Sequence, residues 1–318
     1  MKRSSQPLPH HLSDFLDWLD IEKGLSSKTQ ENYARFLKRF FLWLASCDLS
    51  GLCPHELTSK HVWDYRIFLA RKTRSARSSE PLKKSTQNYY LIALRSFLGY
   101  FSERDILALS PEKVKLARDK ADAQVRFLAL EQLEKLFAVP DLSSTGGMRD
   151  RAILEVLFST GLRIAELVAL NRKQIKISLE GLELGIVGKG GRLRTVYFSS
   201  RSMQWLKKYC ATRDDLEDPL FINYRSRKGA SRRLTVRSIE RSLKGYALRA
   251  GLPITTTPHV LRHSFATDLL SKGVDIRILQ EFLGHKDISA TQIYAHVTSK
   301  QLKDIHKKFH GGGGLGGG

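Results

Sequence analysis

Cysteine is scarce in this sequence. Its three residues, Cys47, Cys53 and Cys210, form no CxxC pair and no even-numbered framework, which excludes a disulfide-stapled fold and points to a reducing compartment. The spacing of Cys47, Cys53 and His55 fits no familiar zinc pattern, so idle or buried thiols are expected there. Long apolar runs are lacking as well. The opening "MKRSSQPLPHHLSDF" has basic residues but no hydrophobic stretch behind them, and no later segment approaches a membrane span. A cytoplasmic protein with no membrane partner is therefore expected. The sequence also lacks a GxxxxGK(S/T) loop and any carboxylate pair at metal-binding spacing, so no nucleotide or metal cofactor is expected.

Acidic residues are the minority charge. With 53 Lys and Arg against 32 Asp and Glu, the formal net charge is +21, and the cations are spread along the chain instead of gathered in one tail. Such a balance calls for a polyanionic partner, of which nucleic acid is the commonest; the bland alternative is a merely basic soluble enzyme. At 318 residues and 42% hydrophobic composition, the chain is long enough for two domains with real cores.

From Leu12 to about Tyr100, four segments place apolar residues at three- and four-residue intervals: "LSDFLDWLDIEKG", "SSKTQENYARFLKRFFLWLASC", "TSKHVWDYRIFLARK" and "STQNYYLIALRSFLGYF". Ser27, Thr58 and Ser85 are the expected N-caps. The basic, Ser-rich "RKTRSARSSEPLKKS" between the third and fourth helices is either a solvated connection or a loop that tracks a phosphate backbone. The charged, glycine-free "LARDKADAQVR" reads as an interdomain linker, and a new helix is expected near Leu130. The second domain is mostly helical. Its one hairpin, "LELGIVGKGGRLRTVYFS", turns around Gly188, Lys189, Gly190 and Gly191. The fold class is thus mainly α with a small β component, and the closing "GGGGLGGG" is a flexible tail. Numerically, the expected division is 1–115, linker 116–126, 127–310 and tail 311–318.

Chemistry enters in the second domain. In "LFSTGLRIAELVAL", Gly161 ends one helix and Arg163 enters the next, whose Ile164, Leu167 and Val168 face inward. An arginine at a helix N-terminus is poorly matched to the dipole but well matched to an anion that the same dipole attracts. Glu166 can hold it by ion pairing, and an ordinary surface pair is the equal alternative. Lys189, flanked by glycines at a hairpin tip, can swing into a site and deliver a proton, although solvated hairpin lysines are commoner.

In "PHVLRHSFATDLLSKGVDIRILQEFLGH", Leu261, Phe265 and Leu269 form a core stripe. His259 and Arg262 share a neighbouring face, offered from the helix terminus instead of buried, and His263 is expected to be structural. Asp275 caps a short second helix, Gly284 closes it, and His285 emerges just past its end. In "ISATQIYAH", a capping box of Ser289 and Gln292 and a staple of Ile288 and Ile293 start a helix at Ala290, with Tyr294 in its second turn. Singly, each of these residues is more often structural. As a set they suit phosphoryl transfer: two arginines and a histidine to neutralise non-bridging oxygens, a lysine to protonate a departing sugar oxygen, and a phenol to attack phosphorus.

"TGLRIAEL", "GKGGRLRTV", "HVLRHSFAT", "LGH" and "TQIYAHV" stand in the order and spacing of the tyrosine recombinase (phage integrase) family. From about Leu12 to Phe309 the chain resembles that family, and its length and layout are most like the Xer recombinases. The resemblance implies an N-terminal SAM-like, core-binding helical domain and a C-terminal catalytic domain of the DNA breaking-rejoining fold. It further implies that Arg163, Arg262 and His285 stabilise the scissile phosphate, that Lys189 is the general acid for the leaving 5′ oxygen, that His259 assists, and that Tyr294 is the nucleophile forming a 3′-phosphotyrosyl bond. The expected function is site-specific recombination through a Holliday junction, without metal or ATP, in chromosome or plasmid dimer resolution. The alternative is an integrase or transposase of a mobile element.

The expected partners are double-stranded DNA carrying a specific site and a homo- or hetero-tetramer on two duplexes, in the cytoplasm at the nucleoid. "SKQLKDIHKKF" fits the family's C-terminal docking helix, whereas the polyglycine departs from the extreme C-terminus at which a DNA translocase activator can bind. Phosphate contacts are expected from Arg71, Lys72, Arg74, Arg77, Lys83 and Lys84 in the first domain and from Arg225, Arg227, Lys228, Arg232 and Arg233 in the second, their alternative being solvated surface. A monomeric type IB topoisomerase and a non-enzymatic helical DNA-binding protein are the competing readings.

Overall fold

In the computed structural model of the 318-residue chain, residues 1–74, 80–117, 126–176, 181–188, 191, 193–226 and 230–284 are described. Two compact units emerge, Met1–Asp122 and Ala123–Gly318.

The first unit is a helical bundle of α1 (Leu12–Ile21), α2 (Ser27–Ala45), α3 (Ser59–Ile67) and α4 (Lys84–Glu103). The apolar stripes of α2 and α4 face each other, and the core between them is rich in rings: Phe15, Phe40, Phe97 and Phe101 are fully buried. Phe15 meets Phe97 edge-on at 5.1 Å and Phe40 meets Tyr65 at 4.9 Å, the T-shaped arrangement that the ring quadrupoles favour. Thr58 caps α3 as expected, accepting from the His61 backbone N–H. Two other caps fall elsewhere: Ser26 precedes α2, so Ser27 is its first helical residue, and Lys83 precedes α4, so Ser85 lies inside the helix. Instead of ending cleanly, α3 runs into a π-helical turn, Phe68–Lys72, that leaves Arg71 and Lys72 exposed.

The second unit contains α5 (Leu130–Ala138), α6 (Thr145–Thr160), α7 (Ile164–Ala169), β1 (Leu182–Val187), β2 (Leu193–Phe198), α8 (Ser200–Ala211), α9 (Val236–Arg249), α10 (Pro258–Ser271) and α11 (Ile276–Leu283). Its centre is α6. Ala152, Ile153, Leu154, Val156 and Leu157 are all buried, so this helix is apolar nearly all round, as an interior helix must be. It packs against α8, α10 and β2. Within this apolar stretch the buried Glu155 sits under Arg151 and Arg201, whose N–H groups reach its carboxylate at 2.8 and 3.0 Å. The strands pair antiparallel with Ile186 opposite Arg194 and Leu184 opposite Val196, so Arg194, Val196 and Phe198 share the inward face of β2.

Candidate active site

Two glycines shape the site. Gly161 closes α6 at φ 59° and Gly284 closes α11 at φ 60°, both in the left-handed region that glycine enters without a Cβ penalty. A Cβ at Gly161 would also lie 2.5 Å from the Phe265 ring of α10, so the turn is closed against that helix. Both helices therefore present C-terminal carbonyls, the negative ends of their dipoles, to the same region.

Arginines occupy those ends. Arg262, on α10, is buried and not offered from the surface as expected: its Nη1 donates to Gly161 O and its Nη2 to Leu283 O, each at 2.5 Å. One planar guanidinium thus ties the end of α6 to the end of α11, a span that needs its forked geometry. Arg163, immediately before α7, sends its Nη2 to Gly284 O at 3.2 Å, the carbonyl next along from Leu283. Although it stands at the wrong end of its own helix for a cation, its charge rests on the favourable end of another.

Glu166 holds Arg163 in two ways, accepting from its backbone N–H at 2.8 Å and its Nη1 at 3.1 Å. Helical spacing predicts this pairing but not the second partner. Arg194 of β2 lies fork to fork with the same carboxylate, at 2.9 and 2.7 Å. Burial pushes the Glu166 carboxyl up, but the Arg194 hydrogen bonds and the Arg163 backbone N–H outweigh it and hold the group below its usual range. The strand alternation could have disclosed Arg194, since it places an arginine on the buried face of β2, where a carboxylate partner is required.

His259, in the first turn of α10, is exposed. His263, one turn further on, is half-buried, and burial lowers its basicity, with the charges of His259 and Arg262 adding to the effect. Arg163, Arg262 and Glu166 are therefore brought together, with His259 on the helix that carries Arg262. Lys189, His285 and Tyr294 lie outside the described residues, as do the capping box at Ser289 and the segment "SKQLKDIHKKF".

Of the expected phosphate contacts, Arg71, Lys72, Arg74, Lys83 and Lys84 are exposed on the first unit, while Arg77, Arg227 and Lys228 fall outside the described residues. In the second unit Arg225 is exposed and Arg232 lies 6.0 Å over the Tyr224 ring. Arg233 is turned inward, donating to Val168 O, Leu170 O and Asn171 Oδ1 at 2.7, 3.2 and 2.6 Å, so its guanidinium fastens the loop after α7 instead of standing free in solvent. Among the described residues there is no group of three or more His, Cys, Asp or Glu side chains that could hold a metal ion, and no helix long and apolar enough to cross a membrane.

Within the described site, the three guanidiniums of Arg163, Arg194 and Arg262 are set against one carboxylate, and the remaining positive charge faces helix-end carbonyls. An excess of positive charge of this kind suits an anion. Residues 126–301 match the Phage integrase family, and residues 12–105 match its N-terminal SAM-like domain. The chain is 35% identical over 304 residues to tyrosine recombinase XerD of Listeria monocytogenes serotype 4b (strain F2365), covering 94% of this chain and 98% of that one. It is 34% identical over 311 residues to tyrosine recombinase XerC of Pelotomaculum thermopropionicum, covering 94% and 97%. Its fold is like that of the XerH site-specific recombinase in a pre-cleavage complex with its difH substrate, with a TM-score of 0.69 and 21% identity over 96% of this chain and 97% of that one. With the family matched across both units, the chain belongs to the phage integrase family, the tyrosine recombinases.

Proposed function

We propose that this protein is a site-specific DNA recombinase of the Xer type that cuts and rejoins strands through a covalent phosphotyrosine. The observation that carries the reading is the convergence of Arg163 and Arg262 on consecutive carbonyls, Gly284 O and Leu283 O, at the end of α11, one residue before His285. Two guanidiniums fixed side by side complement the charge that builds on a phosphodiester's non-bridging oxygens in the transition state. The names of the relatives, XerD and XerC, support the Xer assignment, and the substrate-bound XerH neighbour and the Tn1549 transposon integrase in complex with transposon right end DNA support DNA as partner.

In the proposed reaction, the Tyr294 oxygen attacks phosphorus and forms the 3′-phosphotyrosyl bond as the bond to the 5′ oxygen breaks. The phenol gives up its proton to water or to His259, and Lys189 supplies one to the departing 5′ oxygen. His285 joins the arginines on the phosphate and His259 assists proton transfer. Attack by the 5′ hydroxyl of another strand reverses the step, so the phosphodiester energy is kept and no ATP is consumed. Residues 127–310 form the catalytic domain, and residues 1–115 contact the duplex through Arg71, Lys72, Arg74, Lys83 and Lys84. The complete assembly is a tetramer on two duplexes, working in the cytoplasm at the nucleoid, and its task is dimer resolution.

The test is a suicide substrate, a nicked duplex carrying a candidate site, resolved on denaturing gels. Wild type yields a covalent protein–DNA band that Tyr294→Phe abolishes while duplex binding persists. A band retained in Tyr294→Phe overturns the nucleophile, and relaxation of supercoils without strand exchange between two sites favours the topoisomerase reading.

A further inference from the structure

We propose that Arg194 is the positioning residue of this site: from β2 it sets the spacing between the hairpin, the start of α7 and the end of α11, so that the groups those segments carry meet one phosphate. The inference rests on the function proposed above and goes beyond the six residues assigned to its chemistry.

Three contacts converge on this side chain. Its two Nη groups hold both oxygens of Glu166, the residue that clamps Arg163 by backbone and side chain. Arg194 and Glu166 are each 9% exposed, so the pair is shielded from the screening that makes surface ion pairs weak. Its aliphatic stem passes so close to the left-handed turn after α11 that a Cβ at Gly284 would lie 2.7 Å from its Cδ and 3.2 Å from its Nε. The turn at Gly284 and the position of Arg194 are therefore fitted to each other. A second link holds the same strand to the same helix, because Tyr197 of β2 meets Phe282 of α11 edge-on at 5.6 Å.

The chain order gives this arrangement its consequence. Lys189 is five residues before Arg194 in the hairpin, Arg163 is three before Glu166, and His285 follows Gly284 directly. Three segments distant in sequence are thus indexed against one guanidinium. Its place is not one that stability alone would select, since a guanidinium is drawn inside the unit to reach a carboxylate. The ion pair also brings Arg194 up to the carboxylate that Arg163 already uses, placing two like charges on one acceptor group. Both features fit a residue kept for where it places its neighbours.

The experiment compares wild type with Arg194→Met, Arg194→Lys and Glu166→Gln, each as the full chain. Hydrogen exchange, which needs no DNA, comes first. In Arg194→Met, protection falls together in the hairpin, in Ile164–Ala169 and in Ile276–Gly284, while α8 and α9 keep theirs; loosening confined to β2 overturns the proposal. Single-turnover formation of the covalent complex comes second. A misplacement of about 1 Å at such a site costs on the order of 10²-fold, so Arg194→Met cleaves about 10²-fold more slowly while binding duplex within about twofold of wild type. Arg194→Lys, retaining one hydrogen bond, recovers part of the rate.

In Arg194→Met the acid limb of the rate profile moves to higher pH, because Glu166 has lost a donor that favours its charged form. In a Glu166→Gln background the Arg194→Met change costs much less than it does alone; full additivity overturns the proposal by showing that Arg194 acts through some other group. Should Arg194→Met fail to fold, Arg194→Lys carries the same comparisons. Should wild type give no Tyr294-dependent adduct, the functional reading fails, while the exchange pattern still decides whether Arg194 positions the three segments.

Discussion

Arg262 bridges Gly161 O and Leu283 O with its two terminal nitrogens, joining the ends of two helices whose carbonyls are far apart in sequence. A lysine offers one charged nitrogen and no fork. Arg262→Lys is expected to slow covalent-complex formation by about 10²–10³-fold, the cost typical of losing one preorganised donor at a developing charge. Single-turnover cleavage of a nicked substrate checks this, and a reduction of less than about tenfold contradicts it.

Glu155 lies 3% exposed inside the second unit under Arg151, which is itself largely buried. Removing the carboxylate leaves that guanidinium its Phe137 O acceptor but takes away its counter-charge. Glu155→Ala is expected to destabilise by about 3–5 kcal/mol, the range for breaking a buried pair from one side, and a change below about 1 kcal/mol would mean that Arg201 alone, or water, had been the carboxylate's partner. Urea unfolding followed by circular dichroism measures it.

Gly284 stands at φ 60° with Arg194 pressed against the space a side chain would take. Gly284→Ala incurs the left-handed backbone penalty, roughly 1–2 kcal/mol, and must also displace Arg194 from Glu166. Thermal unfolding is expected to show that destabilisation and the cleavage assay a slower rate. A variant of unchanged stability would show that the turn does not need glycine.

How far this site can be read from sequence depends on the distance of each partner. Gly161 and Gly284 are legible as helix ends because a glycine after a periodic run is a local signal, and the pairing of Arg163 with Glu166 follows from helical spacing. The caps of α2 and α4 are misread by one and two positions because neighbouring polar residues, Ser26 beside Ser27 and Lys83 before Ser85, compete for the same role. The burial of Arg262 is not legible locally. It depends on Gly161, 101 residues away, and no periodicity in "PHVLRH" reports that an acceptor waits there. Arg194 is legible in principle from the alternation of β2, but the glycine-flanked lysine beside it is the louder signal. Arg233 illustrates the converse, a member of a basic run whose guanidinium is occupied by backbone carbonyls.

Acid is expected to weaken the second unit in two stages. His263 is held below its ordinary value of about 6.5 by burial, then by His259 and Arg262, so as pH falls past 6.5 the unfolded chain takes up a proton that the folded chain refuses. Stability therefore declines with falling pH until the folded value is passed. Glu166, also lowered, contributes stability that is present above about pH 4.3 and is lost as pH falls through its folded value. Denaturation midpoints measured from about pH 7.5 to about pH 5 test the first stage: His263→Gln flattens the dependence, and an unaltered slope contradicts the assignment.

Phosphate binding by the first unit predicts a salt signature. Neutralising any one of Arg71, Lys72, Arg74, Lys83 or Lys84 lowers the log-log salt slope of duplex binding by about 0.9. Titrations of single charge-removing variants across salt concentration measure this, and slopes equal to wild type would remove those residues from the interface.

The central claim, that Arg163 and Arg262 serve a phosphate's charge, is tested most directly by removing the charge. A nicked duplex with a methylphosphonate in place of the scissile phosphate presents one oxygen fewer and no formal charge. Arg163→Ala is expected to slow covalent-complex formation by at least about 10²-fold on the ordinary substrate and far less on the methylphosphonate, because the group it neutralises is gone. An equal reduction on both substrates would mean that Arg163 only holds the fold together around α11, contradicting the role in phosphate stabilisation.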